Sequence, residues 1–241
     1  MTQPMKKSAY KSQRKAEQER LEKQRKLMRK LILATGIIVV LGIIAAIIFT
    51  PKSDPTNFAY DTLPVLGQKD APVKIVEFGD YKCPSCQYFS QNVKPQLEKE
   101  YIDTGKVSLY FMNFPFIGED SQTAALAAQS VFHQNNEAFW KYYDLLYKNQ
   151  QDEHTVWATP DFLVKLAKDN ALPVDYDKLQ SDIANATYEK EVNSHASTAR
   201  AAKVQSTPTL FINGKEFTGE FSDYAGIKKA IDDALAAGTS K

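Results

Sequence analysis

The stretch Tyr81–Phe89, YKCPSCQYF, contains both cysteines of the chain, Cys83 and Cys86. A bond between them closes a loop so small that it hardly restrains the unfolded chain, which makes a purely structural staple a poor use of the pair. At i and i+3 on a helix the two residues share a face, with α-carbons roughly 5–6 Å apart, and that separation suits a disulfide. Such a bond can open and close without moving the backbone, as redox chemistry requires. Pro84 fits the first helical position, where its missing N–H would be orphaned anyway, and this puts Cys83 at the N-cap. There the N–H groups of Ser85 and Cys86 and the helix dipole favour a thiolate, and Lys82 is expected to add a nearby cation. Cys86 falls on the apolar stripe Cys86–Phe89–Val93–Leu97 and is expected to be buried. Cys83 is then the attacking sulfur and Cys86 the resolving one. Two other readings compete: half of a zinc site, or an inert disulfide. The zinc reading lacks its second half, because no other CxxC is present and His133, His154 and His195 show no ligand spacing.

Outward from this stretch, Val73–Phe78 (VKIVEF) precedes it as a short β-rich run with turn chemistry at Gly79-Asp80, and reads as a buried strand. The helix that opens at Pro84 is expected to run to about Glu100, bent at Pro95. Lys106–Phe114 (KVSLYFMNF) is the second strand. About ninety residues of helical periodicity follow, including SQTAALAAQSVFHQ and EAFWKYYDLLYKNQ, whose aromatic residues read as core. Strand character returns at Thr209–Ile212 (TLFI). Asn213-Gly214 then signals a hairpin into EFT, and a last helix is capped by Ser222 or Asp223. Strand, helix, strand, helical insertion, strand, strand, helix describes a mixed α/β sheet carrying a helical subdomain.

The near-neutral total charge conceals an uneven distribution. Residues 1–30 hold eleven Lys/Arg against three Glu, which leaves nineteen basic and twenty-six acidic side chains for residues 31–241. Between arm and body lies LILATGIIVVLGIIAAIIF, Leu31–Phe49, nineteen residues without a charge. As a helix it is about 28 Å long, close to the roughly 30 Å of a bilayer core. The expected organisation is a basic cytoplasmic arm (1–30), a transmembrane anchor in the lipid bilayer (31–50), a linker (51–70) and one domain (71–241) whose helical insertion covers about 118–203. The Lys/Arg excess places the N-terminus in the cytoplasm and the domain outside, where disulfides are formed. A cleaved signal peptide is the competing reading; its n-region would be unusually long, and no A-x-A site follows the apolar run. No aromatic residue interleaves the arm's basic run RKAEQERLEKQRKLMRK for base stacking, so nucleic acid is not an expected partner.

Gly67–Phe89 (GQKDAPVKIVEFGDYKCPSCQYF) together with Val204–Gly219 (VQSTPTLFINGKEFTG) resembles the DsbA-like branch of the thioredoxin superfamily, especially its membrane-anchored, BdbD-like oxidases of Gram-positive type. The resemblance covers roughly residues 60–238. It implies a thioredoxin fold with a large inserted helical subdomain, preceded by one transmembrane helix. It also implies a thiol–disulfide oxidoreductase whose carrier is the Cys83–Cys86 pair, with no organic cofactor. By the same resemblance Cys83 is the nucleophile and Cys86 the resolving cysteine, and Pro84 and Ser85 are the dipeptide that tunes the potential. Thr207-Pro208 becomes a cis-proline loop facing the disulfide, where a substrate peptide can pair with the Thr207 backbone. Glu77 becomes a buried acid that passes protons to Cys86; the residues alone also allow a wet strand end. Pro-Ser differs from the Pro-His of the best-studied oxidases, which bears on the size of the potential. The implied partners are reduced secreted proteins and a quinone-linked membrane oxidase of the DsbB/BdbC kind. A tethered reductase or isomerase, and a non-catalytic holdase on the same fold, remain the rival functions. Some relatives bind a metal ion away from the cysteines, and no residues here mark such a site.

Overall fold

The computed structural model describes residues 5–49 and 55–238, without the side chains at 5–13, 16, 18, 19, 34, 37, 38 and 43–49. The chain divides into two units, Met1–Ser53 and Asp54–Lys241. In the first, helix α1 (Met5–Phe49) runs unbroken through both the charged and the apolar stretches. Among the described residues no helix is long and apolar enough to cross a membrane, which departs from the transmembrane helix expected over 31–50. The described side chains of α1 come largely from its charged half. The apolar run Leu31–Phe49 is only partly described, and residue 50 and the start of the expected linker, 51–54, lie outside the described residues.

The second unit is built on a five-stranded sheet. β1 (Val65–Leu66), β2 (Val73–Gly79), β3 (Val107–Asn113), β4 (Thr209–Ile212) and β5 (Lys215–Glu216) lie in the spatial order β1-β3-β2-β4-β5. β2 and β3 are parallel, with Ile75 opposite Leu109 and Glu77 opposite Phe111; the other pairings are antiparallel. The sheet is buried on both faces, so the runs in β2 and β3 are nearly continuously apolar, and each alternate residue enters a different core. Ile75, Leu109, Phe111 and Ile212 join the large core under the helices. Val76, Phe78, Tyr110, Met112 and Phe211 join a second core with Phe58 and Leu63. Asn213 and Gly214 take positive φ of 48° and 78°, as the tight hairpin between β4 and β5 demands. The pairing there ends at Glu216, shorter than the EFT strand expected.

Residues 55–70 are folded rather than a plain tether. Thr56 donates its N–H to Gly214 O at 2.7 Å, and Phe58, Leu63 and Val65 are buried. β1 pairs with β3 and is fixed from the side by Asn136, whose side chain bonds both the N–H and the C=O of Val65.

The helix after the cysteines runs from Pro84 to Ile102 as α2 (Pro84–Tyr88), a π-turn segment (Phe89–Val93), α3 (Lys94–Leu97) and a second π-turn segment (Glu98–Ile102). Pro95 offers no N–H and its ring crowds the preceding turn; widening that turn accommodates it in place of a simple bend. Five helices separate β3 from β4: α4 (Glu119–Gln134), α5 (Asn136–Lys148), α6 (Pro160–Asp169), α7 (Tyr176–Ala184) and α8 (Glu189–Ala201). Asn135, Thr159 and Asp175 cap α5, α6 and α7 through their side chains. α9 (Tyr224–Gly238) closes the chain, with Asp223 accepting from Gly226 N–H. This is a thioredoxin fold with a helical insertion.

Candidate active site

The β2–α2 junction presents the two cysteines. Cys83 has extended backbone angles at the N-cap and Pro84 occupies the first helical turn. Both cysteines are free thiols. Cys86 has no exposed surface and packs with Phe89, Val93 and Leu97, whereas Cys83 keeps 7% of its surface exposed. The Cys86 thiol donating to the Cys83 sulfur holds the Cys83 thiol down to about 6; the Thr207 side chain and the N–H groups of Cys86 and Ser85 act the same way, against burial. Burial drives the Cys86 thiol well above its ordinary value, aided by the Cys83 sulfur and by Glu77, while the Asp80 N–H opposes. One sulfur is therefore reactive at neutral pH and its neighbour is held protonated.

The Thr207–Pro208 peptide is cis and lies against this pair. Thr207 O accepts from Cys83 Sγ at 3.2 Å. The Thr207 hydroxyl is buried without a hydrogen-bond partner, so it can turn toward the sulfur once Cys83 ionises. Beside the exposed Pro84, Ser85 and Tyr88 line a cleft with Phe221 and Ser222, and Phe221 also borders a second cleft beside Pro208, Thr209 and Leu210. Tyr88 is 47% exposed and meets Phe221 edge-on at 6.2 Å between ring centroids. Tyr88 and Phe221 thus form an apolar patch beside Pro84 and Ser85, the residues that follow Cys83.

Glu77 has no exposed surface. It sits on the face of β2 directed at the large core, between Phe111 and Leu210 on the flanking strands. Burial pushes its carboxyl up to about 8; the Tyr143 hydroxyl, donating to Oε2 at 2.8 Å, and the Lys94 cation moderate that rise. The wet strand end is thereby excluded.

Lys82 does not supply a cation to Cys83. Its side chain is buried and turned away, with Nζ 2.5 Å from Asp120 Oδ1 and donating to Thr155 O at 2.9 Å. Asp120 lies on the first turn of α4 and uses Oδ2 to accept from the N–H groups of Trp157 and Ala158. The pairing of a buried ammonium with the nearest buried carboxylate outweighs sequence adjacency to the thiol.

Several residues of the site escaped the sequence reading. Asp80 accepts from Lys82 N–H through Oδ1 and from the N–H groups of Phe116 and Ile117 through Oδ2. Its own carbonyl receives Cys83 N–H at 3.0 Å and the Tyr147 hydroxyl at 3.3 Å. Gln150 donates to the carbonyls of Tyr81 and Cys83. An Asp after a strand and a Gln after a helix are ordinary polar punctuation in sequence; only the fold shows that both hold the cysteine loop. Among the described residues no cluster of His, Cys, Asp or Glu has the makings of a metal site.

A thioredoxin family profile matches residues 60–233. The chain is 40% identical over 216 residues to the probable disulfide bond formation protein D of Bacillus cereus, covering 88% of this chain and 99% of that one. The chain belongs to the DsbA-like thiol–disulfide oxidoreductases of the thioredoxin family. Disulfide bond formation protein D of Bacillus subtilis is 37% identical over 172 residues, 71% of this chain and 77% of that protein. The crystal structure of oxidised BdbD from Bacillus subtilis superposes with a TM-score of 0.72 at 34% identity, covering 77% of this chain and all of that one. Chlamydia trachomatis DsbA gives 0.67 at 26% identity over 78% of this chain and 98% of that one. The N-cap thiol, the buried thiol and the cis-proline loop are brought together at one place in the fold.

Proposed function

We propose that this oxidoreductase works as a disulfide donor to reduced secreted or surface proteins, from the outer side of a cell membrane to which residues 31–50 anchor it. The observation that carries the direction is the opposed environment of the two sulfurs. A group that stabilises the Cys83 thiolate stabilises the reduced form, and so makes the disulfide the stronger oxidant. Each unit by which the Cys83 thiol titrates below ambient pH is worth about 1.4 kcal/mol, or roughly 30 mV for this two-electron couple.

The geometry supports the following cycle. A substrate thiolate attacks Cys83 Sγ, the exposed sulfur of the pair. The Cys83–Cys86 bond breaks, and its electrons leave on Cys86. Cys86 sulfur, buried and poorly able to hold charge, takes a proton from the Glu77 carboxyl. A second substrate thiolate then attacks the substrate sulfur of the mixed disulfide and releases Cys83 as its stabilised thiolate. Two electrons pass from substrate to enzyme; the Glu77 proton ends on Cys86, both substrate protons pass to solvent, and Glu77 regains one proton from solvent. Thr207 O, beside Cys83, offers an acceptor to an extended peptide, and the surface of Tyr88 and Phe221 suits the apolar side chains that an unfolded substrate exposes.

Reoxidation is assigned to a quinone-linked membrane oxidase of the DsbB/BdbC kind, the partner that the family resemblance implies. The uncharged run Leu31–Phe49 and its basic N-terminal flank support the anchor and its orientation. The direct test mixes the oxidised full chain with one equivalent of a reduced, unfolded secreted protein and quantifies both thiol pools. Rapid and nearly complete transfer to the substrate is the expected result. Transfer in the opposite direction from an oxidised substrate would make the chain a tethered reductase, and binding without transfer would make it a holdase.

A further inference from the structure

We propose that Tyr143 is a positioning residue for the proton chemistry of Cys86, acting through Glu77, with the buried Lys94, itself paired to the exposed Asp144, holding it in place. The inference rests on the reading of Glu77 as the proton partner of Cys86. Tyr143 lies on α5, in the inserted helical subdomain, 66 residues from Glu77, and its hydroxyl is the one protein group that hydrogen-bonds the Glu77 carboxyl among the described residues. The remaining oxygen, Oε1, is buried without a partner.

The charged and titratable groups that act on Glu77 come from the active-site turn, the loop before it and the helices packed over it. Cys83 and Cys86 approach from the active-site turn and α2, and Tyr81 from the loop before it. Lys94 approaches from α3, and Tyr143, Asp144 and Tyr147 from α5. Lys94 is the cation of this set. It is buried, bonds both oxygens of Asp144 at 3.0 and 3.2 Å, and stands 5.6 Å from the centroid of the Tyr143 ring. Tyr143 is further wedged by Phe111, Trp140 and Tyr147, with ring centroids 5.2, 5.2 and 4.8 Å away. It therefore has no freedom to leave the carboxylate.

The consequence concerns the ring-closing step of reoxidation. The Cys86 thiol gives its proton to the Glu77 carboxylate and attacks Cys83 Sγ in a mixed disulfide. The bond from Cys83 to the outer sulfur breaks, and that sulfur leaves with the electron pair as a thiolate. The step needs Glu77 ionised, and an ionised carboxylate in an apolar core needs the Tyr143 donor. Removing the hydroxyl makes the carboxylate rarer at neutral pH and moves the step to higher pH.

The test forms a mixed disulfide between Cys83 of the full chain and a small aromatic thiol, then follows release of that thiol from pH 5 to 9. In Tyr143→Phe the midpoint rises by roughly one pH unit, a loss of about tenfold in rate at pH 7. The control is Tyr142→Phe, whose buried hydroxyl on the same helix donates to Leu163 O and not to Glu77. It should leave the profile in place. Glu77→Gln should flatten the profile, and adding Tyr143→Phe to it should change nothing more. An unmoved profile in Tyr143→Phe, with Glu77→Gln still flattening it, overturns the role of Tyr143 and leaves that of Glu77. An equal shift in Tyr142→Phe also overturns it, because packing alone would then be the cause. An unmoved profile in Glu77→Gln removes the reading of Glu77, and the inference falls with it.

Discussion

Replacing Glu77 by Gln should change how stability depends on pH, and the size of the change can be worked from the site. The carboxyl titrates at 4.5 when free and is pushed up to about 8 in the fold. A group raised on folding contributes stability that is fully present below its unfolded value and is lost as pH rises through its folded value. Between pH 4.5 and 7 the unfolded chain releases this proton and the folded chain keeps it, over about 2.5 units. That corresponds to about 3 kcal/mol of stability lost by the wild type. Gln carries no such proton, keeps the shape, and can still accept from Tyr143. The difference between variant and wild type should therefore grow by about 3 kcal/mol in favour of the variant from pH 4.5 to 7. Cys83 has the opposite slope: its thiol is lowered on folding, so its contribution is lost as pH falls toward about 6. It is present in both proteins, and to first order it cancels in the difference. The assay is urea unfolding of both reduced proteins at half-unit pH intervals. Parallel curves across this range would refute the claim that Glu77 is folded as a neutral acid.

Other outcomes follow from the same contacts. Cys86→Ser removes the resolving sulfur, so exposure to disulfide-containing substrates should accumulate a Cys83 mixed disulfide, visible on a non-reducing gel and absent from the wild type. Asp120→Asn strips the buried Lys82 ammonium of its anion and should cost about 3–5 kcal/mol in urea unfolding. A Cβ on Gly79 would stand 2.5 Å from Phe111 Cε2 and 3.1 Å from the Tyr147 hydroxyl. Gly79→Ala should accordingly lower stability by about 1–3 kcal/mol and disturb the strand end that carries the active-site turn.

The parts legible in the sequence are those that depend on neighbours along the chain. The N-cap placement of Cys83, the burial stripe through Cys86 and the hairpin at Asn213-Gly214 each rest on a few consecutive residues, and each appears in the structure. The strand TLFI lies where its β-branched and aromatic composition places it. The residues that were misread or missed depend on partners far away. Lys82 looked like a cation for its neighbour Cys83, but its direction is set by Asp120, 38 positions on. Tyr143 sits in an aromatic run that reads as core, and it is core; its hydroxyl gains meaning only when α5 packs over Glu77. β1 has two residues and no periodicity, and it exists because β3 and Asn136 supply its hydrogen bonds. The π-turns around Pro95 preserve the apolar stripe closely enough that periodicity alone reads as a plain helix.

The central claim, that the site is an oxidant, is tested most directly by the equilibrium reduction potential of the full chain in a glutathione redox series. The opposed environments of Cys83 and Cys86 predict a value well above the roughly −270 mV of thioredoxin. A value at or below that figure would contradict the assignment of disulfide donor and leave a reductase.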